Sequence, residues 1–285
     1  MGGGGGGAMG GGGGATGGGG GATGGTCASP TPLTFGADGV TVSAATAGTT
    51  ALTGTCGGSG SPELVYSFTQ ATTGPFLATV APSLSSGNLR PVIYVRSACT
   101  TMTDEACTGM SQNQARSLSI ASLPAGAWYL VIDGTGPGGS AGPFTMTAFQ
   151  GPQPGESCSA SPRVVNLATA TSVTFAGDTT GLVGDRTVSC GGTGGPDIIY
   201  EVTAPRAGTM TVTTRGTFDI ALGVFSGAAM CAAATELDCS DSDLGGDGSS
   251  ESTSGPVTAG TTYWFWVTGY DDVDQGQYQI TFALP

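Results

Sequence analysis

The sequence predicts an all-β protein: two tandem, disulfide-stapled β-sandwiches of jelly-roll-like kind behind a polyglycine N-terminal segment. Three observations carry this. One motif occurs twice, the cysteines recur with it, and the chain is cut by turn residues into short runs rich in Val, Ile, Thr and aromatics. Thr55-Cys56-Gly57-Gly58-Ser59-Gly60-Ser61-Pro62-Glu63-Leu64-Val65-Tyr66 returns as Ser189-Cys190-Gly191-Gly192-Thr193-Gly194-Gly195-Pro196-Asp197-Ile198-Ile199-Tyr200. Cys27, Cys56, Cys99 and Cys107 recur as Cys158, Cys190, Cys231 and Cys239, at offsets of 131, 134, 132 and 132. Each copy has roughly 125 residues, enough for one hydrophobic core. The expected organisation is a Gly-rich segment over 1–26, a sandwich over 27–150, a linker over 151–157 and a second sandwich over 158–285.

Strands are expected in the first copy at 39–44, 63–69, 76–81, 91–97, 117–122, 127–133 and 143–149. In the second they are expected at 163–168, 171–176, 197–203, 208–213, 218–225, 253–258, 262–268 and 277–283. No stretch keeps a 3.6-residue period between helix caps. Seven or eight short strands at this spacing read as a sandwich with jelly-roll or Greek-key connections. The join, Gly151-Pro152-Gln153-Pro154-Gly155-Glu156-Ser157, reads as a short, partly stiff linker.

Eight cysteines in an even, duplicated set read as disulfides, and therefore as an oxidising compartment. A zinc site is disfavoured, because the chain has no Cys-x-x-Cys pair and no histidine. The expected pairing is Cys27–Cys56, Cys99–Cys107, Cys158–Cys190 and Cys231–Cys239, the second and fourth closing short loops. A secreted or cell-surface location follows. No apolar run follows Met1 and no span is long enough for a membrane helix. The export signal is expected to have been removed or to lie upstream of the assigned start, and a lipid anchor would belong to the same missing piece.

The chain has no lysine and no histidine; its cations are seven arginines, and the net charge is −13. That balance argues against nucleic acid and anionic lipid as partners, since phosphate binding needs a basic surface. Without histidine there is no Ser-His-Asp or Cys-His arrangement and no His-Glu-x-x-His zinc site. Without lysine there is no Schiff base and no Walker phosphate loop. The glycine runs lack the strand-to-helix setting of a dinucleotide loop. Paired carboxylates of the glycosidase kind remain formally open, but the acids lie in loops with no sign of a deep cleft. No enzyme is expected.

Residues 1–25 form a low-complexity tract with a seven-residue period from Ala8-Met9 through Ala15-Thr16 to Ala22-Thr23. It reads either as a flexible linker or spacer, or as a polyglycine helix of three residues per turn. In the helical form it would extend roughly 80 Å, and its mostly glycine faces would let several chains pack closely. Self-association through residues 1–25 is the partner this reading implies.

Several further motifs suggest a known family. After Cys-Gly-Gly-x-Gly-x-Pro-[Asp/Glu]-x-x-Tyr come an aliphatic strand and a Cys-x7-Cys loop. An Ala-Gly strand follows, Ala125-Gly126-Ala127-Trp128-Tyr129 and Ala259-Gly260-Thr261-Thr262-Tyr263. The closing strands are Phe144-Thr145-Met146-Thr147 and Tyr278-Gln279-Ile280-Thr281. The chain thereby resembles the bacterial pre-peptidase C-terminal domains, in particular the tandem versions on secreted or lipid-anchored myxobacterial proteins, from Cys27 to Pro285. The resemblance implies a β-sandwich that rides on secreted enzymes or surface proteins, some of which bind calcium. No peptidase domain is present here, so the modules would act alone.

The acids are unevenly shared: five from Cys27 to Gln150 and fifteen from Gly151 onward. Asp241, Asp243 and Asp247 alternate with Ser and Gly after Cys239, and Asp271, Asp272 and Asp274 form a second acidic loop. Such loops supply the six to eight oxygens that Ca2+ requires; they read equally as a solvated acidic face. The first copy has Thr108-Gly109-Met110-Ser111-Gln112-Asn113-Gln114 in the matching place, so a calcium site there is expected to be lost. On Tyr263-Trp264-Phe265-Trp266, alternation puts Trp264 and Trp266 on one face. They are either covered by a loop or the partner domain, or exposed to bind a glycan or a surface protein. Two functional classes follow. One is a non-catalytic surface or extracellular structural protein, a fibre subunit assembled or anchored through its tail. The other is a calcium-dependent adhesion or carbohydrate- or protein-binding module.

Overall fold

The computed structural model describes residues 25–47, 51–83, 88–109, 113–135, 140–158, 161–227, 235–242 and 250–285. The glycine tract up to residue 24, with its linker and helix readings, lies outside the described residues, as do Asp243, Asp247 and Cys231.

All named elements are strands. The first repeat holds β1 (Thr31–Pro32), β2 (Val40–Thr46), β3 (Leu64–Gln70), β4 (Gly74–Pro82), β5 (Pro91–Arg96), β6 (Ala106–Gly109), β7 (Arg116–Leu123), β8 (Gly126–Gly134) and β9 (Gly142–Gln150). The second holds β10 (Arg163–Val165), β11 (Ser172–Asp178), β12 (Asp197–Thr203), β13 (Gly208–Gly216), β14 (Ile220–Ser226), β15 (Thr235–Ser240), β16 (Ser252–Val257), β17 (Thr262–Gly269) and β18 (Gln277–Ala283). Each repeat builds a five-stranded and a four-stranded sheet. The orders are β1-β3-β8-β5-β6 with β2-β9-β4-β7, and β10-β12-β17-β14-β15 with β11-β18-β13-β16. Each repeat is therefore a β-sandwich, and position for position the two topologies are the same. Among these strands only β1–β3 and β10–β12 pair in parallel.

The sandwich follows from alternation. On β9, Phe144, Met146 and Ala148 enter the first core; on β18, Tyr278, Ile280 and Phe282 enter the second. The registers match as well. Thr41 pairs with Thr147, and Thr174 with Thr281, each couple facing hydroxyl to hydroxyl at 3.4 and 2.9 Å. A central five-stranded sheet carries a second, outward apolar layer. In repeat 1 this comprises Val65, Val92, Tyr94 and Val131, and in repeat 2 Ile199, Ala221, Phe225, Trp264 and Trp266. That outer layer is where the disulfides sit.

The expected cysteine pairing is wrong. The bonds are Cys27–Cys99, Cys56–Cys107 and Cys190–Cys239, and Cys158 is disulfide-bonded too. Sequence proximity misled because the Cys-x7-Cys segment is no self-contained loop. It crosses into the short edge strand β6, which pairs with β5 and sets Cys107 opposite Tyr94. Cys99 has by then run past the end of β5, towards Cys27. In repeat 2 the same pairing sets Cys239 opposite Gly223 on β14. Each of these strands brings its cysteine under the Cys-Gly-Gly loop, where Cys56 N–H and Cys190 N–H each reach the partner sulfur at 3.1 Å.

The two sandwiches touch through their four-stranded sheets, β11 lying over β9 and β4. Beside this contact is a narrow crevice of about 30 Å3, between Pro82, Asn113 and Gln114 on one side and Arg215, Gln277 and Gln279 on the other. No helix among the described residues is long and apolar enough to cross a membrane.

Candidate functional site

The polar groups of this chain concentrate at the caps over the five-stranded sheets. In repeat 1, Arg96 ends β5 and is 1% exposed. Its Nε pairs with Asp104 Oδ1, while Nη2 donates to Thr53 O and Nη1 to Cys99 O. Its guanidinium lies over the Tyr94 ring, 4.5 Å from the centroid. Asp104 Oδ2 in turn accepts Thr55 N–H at 2.6 Å. One cation thus gathers three loop segments onto the sheet, where Cys27–Cys99 and Cys56–Cys107 fasten them.

Beneath this cap lies Asp133, fully buried on β8. Its Oδ1 accepts Gly134 N–H at 2.7 Å and its Oδ2 accepts the Tyr94 hydroxyl at 3.1 Å. Desolvation pushes its pKa up to about 7, aided by the charge of nearby Glu63. Glu63 is raised as well, again mainly by burial, although it accepts Ala51 N–H at 3.0 Å. The carboxylate also explains Gly58. That residue has φ +98°, and a Cβ there would sit 2.2 Å from Asp133 Oδ2.

Repeat 2 rebuilds the cap with other residues. Asp197 begins β12, is fully buried, and accepts Asp185 N–H at 2.9 Å and Arg186 N–H at 3.3 Å on Oδ2. Its Oδ1 is buried without a hydrogen-bond partner, and desolvation again raises the pKa to about 7. The loop that Asp197 holds places the Arg186 guanidinium 4.2 Å from the Phe225 ring centroid and 5.6 Å from that of Trp266. Asp185 Oδ2 accepts Cys158 N–H, and Glu236 Oε1 accepts Ser189 N–H.

The tryptophans belong to this cap. Tyr263 and Phe265 face the inner core, and Trp266 on the other face is 0% exposed. Trp264 is 8% exposed, and its Nε1 donates to Gly227 O at 3.3 Å. Of the aromatic pair that alternation offers for ligand binding, only the edge of Trp264 reaches a surface. It borders an open hollow of about 500 Å3 with Glu201, Ser226, Thr261 and Thr262.

Among the metal candidates, Asp241 is half-buried, with its carboxyl raised by desolvation and by the charge of Glu251. Its Oδ1 is enclosed without a partner. Glu251 Oε2 accepts from Ser240 Oγ, Ser242 N–H and Ser242 Oγ at 2.7, 2.9 and 3.0 Å. Asp271 and Asp274 serve their own turn: Asp271 N–H donates to Asp274 Oδ2, and Asp274 N–H to Asp271 O, both at 3.0 Å. Asp271 Oδ1 also holds Thr193 of the Cys-Gly-Gly loop. Asp272 is exposed. No group of three or more acids, cysteines or histidines among the described residues is arranged to hold a metal ion.

Asp133, Asp197, Arg96 and Arg186 do not stand out from the sequence. Asp197 has a signal, since its position is acidic in both copies of the motif. Asp133 has a weaker one, a lone charge closing the apolar run Tyr129-Leu130-Val131-Ile132.

No family model matches the chain, and no curated protein matches it. Among solved structures, the pre-peptidase C-terminal domain of a collagenase from Bacillus anthracis is similar. It has 14% identity and a TM-score of 0.28, over 41% of this chain and 90% of that one. The tandem CBM22-1–CBM22-2 domains of Xyn10C from Paenibacillus barcinonensis match at 9% identity and a TM-score of 0.24, over 86% of this chain and 91% of theirs. The PBSX exported protein XepA matches at 9% identity and a TM-score of 0.22, over 86% of both chains.

Proposed function

We propose that this chain is a non-catalytic structural protein of the cell surface or extracellular space, a fibre subunit whose Gly-rich N-terminal segment assembles or anchors two rigid sandwiches. The observation that carries the reading is how the reactive groups are spent. Arg96 and Asp197 tie loops to the sheets, Arg186 stacks on the sheet aromatics, and Asp133 and Trp266 are buried beneath these caps. A chain without histidine or lysine that commits its acids and arginines to rigidity is built to persist outside the cell. Sedimentation of the 285-residue chain beside a form lacking residues 1–25 tests the assembly role. The reading expects large species only with the segment present, and identical monomers in both samples contradict it.

A second reading, a calcium-dependent adhesion or glycan-binding module, is favoured by two observations. The hollow beside Trp264 offers an acid and hydroxyls next to an indole edge, and Asp241 Oδ1 has no donor. Under this reading millimolar Ca2+ raises the melting temperature and Asp241→Asn abolishes the rise; an unchanged melting curve removes the calcium element.

A further inference from the structure

Alternation along β9 turns Thr145, Thr147 and Phe149 away from the core of the first sandwich. In a lone sandwich that face would be wet. Here Thr147 is 0% and Phe149 2% exposed. The second sandwich covers them. The Ala176 N–H of β11 donates to Thr147 Oγ1 at 3.2 Å, and the Arg163 guanidinium of β10 stands 5.1 Å from the Phe149 ring centroid.

Arg163 is an unusual group to find there. It is fully buried, and among the described residues it has no carboxylate partner. Nη1 donates to Ala176 O at 3.2 Å and to the Tyr200 hydroxyl at 3.3 Å, whereas Nε and Nη2 have no partner. The rings of Phe175 and Tyr200, at 4.3 and 5.5 Å, complete an aromatic enclosure whose remaining wall is Phe149 from the other repeat. A buried cation without an anion is costly unless its surroundings compensate. Three aromatic faces and two oxygens do so here, and one of those faces is present only while the two sandwiches are docked.

We infer that Arg163 and Phe149 form a lock that makes the tandem sandwiches one rigid body, the first repeat being the partner for which the Arg163 surface is shaped. Repeat equivalence sharpens the inference. Thr31 pairs with Tyr66 as Arg163 pairs with Tyr200, so Thr31 occupies the place of the arginine in repeat 1. The matched Thr147 and Thr281 align β9 with β18 and put Ala283 in the place of Phe149. The key pair therefore occurs once, across this junction, and the equivalent surfaces lack both halves of it.

The amide of Ala176 reports on the lock directly, because its donor bond crosses the junction. Hydrogen exchange is measured at that amide in the full chain, for wild type, Phe149→Leu, Arg163→Met and the double variant. Phe149→Leu keeps apolar bulk and removes the ring. The lock predicts about tenfold faster exchange in either single variant and little more in the double. Wild-type protection in Phe149→Leu overturns it, as does additive loss in the double variant. If Arg163→Met loses protection throughout β12 and β17, the second sandwich itself has failed. Phe149→Leu, which alters only the other sandwich, then decides alone.

Discussion

Among the carboxyls of the described residues, Asp133 and Asp197 are the two pushed furthest from the ordinary range. Each ionises with a pKa near 3.8 when solvated and is pushed to about 7 in the fold, with burial the leading cause. The folded chain therefore binds more protons than the unfolded chain across that interval. Stability is greatest at the acid end of the interval, falls as pH rises through it, and levels off above about 7. Across the whole interval the size is on the order of 4 kcal/mol per carboxyl, since each tenfold change in proton affinity is worth about 1.4 kcal/mol. Urea melts at pH 5 and pH 8 are expected to give the higher midpoint at pH 5. Asp133→Asn keeps the acceptor for Gly134 N–H, and the Tyr94 hydroxyl can turn to accept from its amide. That variant is expected to lose about half of the pH dependence while staying folded. A higher midpoint at pH 8 in the wild type would mean that these carboxyls are hydrated rather than buried. None of this is legible from composition. The acids conspicuous in the sequence are those clustered in loops, Asp271 and Asp274 among them, whereas the strongly perturbed ones stand alone at strand ends.

At the scale of the element, the inner strands are readable and the edges are not. β12 and β18 have the expected bounds, 197–203 and 277–283, because β18 alternates without a break and β12 is a short apolar run buried on both faces. β1, β6 and β15 are absent from the expected set. β1 is two residues containing a proline, β6 is four residues, and β15 carries Glu236 and Asp238, poor strand formers that an edge tolerates. These missing edge strands are the reason the expected disulfides are mispaired, since β6 and β15 carry Cys107 and Cys239 across to the Cys-Gly-Gly loops. The duplication argues correctly that both copies pair alike, but it cannot say which cysteine meets which. Peptide mapping without reduction is expected to recover Cys27–Cys99, Cys56–Cys107 and Cys190–Cys239. Recovery of a Cys27–Cys56 or Cys99–Cys107 peptide would contradict the strand assignment itself. Replacing both Cys190 and Cys239 by alanine is expected to cost about 4 kcal/mol, as the bond closes a loop spanning 49 residues. The tryptophans teach the same lesson from the other side. Their shared face is evident from alternation, but the cover supplied by the Asp185–Arg186 loop depends on a contact over many residues, through Asp197.

For the whole molecule, the proposed function would divide the work between the sandwiches and the segment that precedes them. Their caps are pinned by disulfides, buried carboxyls and stacked guanidinium groups, and their mutual docking is held by Arg163 against Phe149. Segments fastened in this way resist local opening. Under the proposed function assembly falls to residues 1–25, a glycine-rich tract by sequence. The rigid sandwiches would then decorate a fibre or stand off a surface without taking part in its core. The measurement that bears on this most directly is negative-stain electron microscopy of the 285-residue chain beside the chain lacking residues 1–25, with circular dichroism to confirm that both are folded. The account predicts filaments from the first and dispersed two-lobed particles from the second. Dispersed particles in both would contradict assembly through the glycine tract, and filaments in both would move assembly onto the sandwiches themselves.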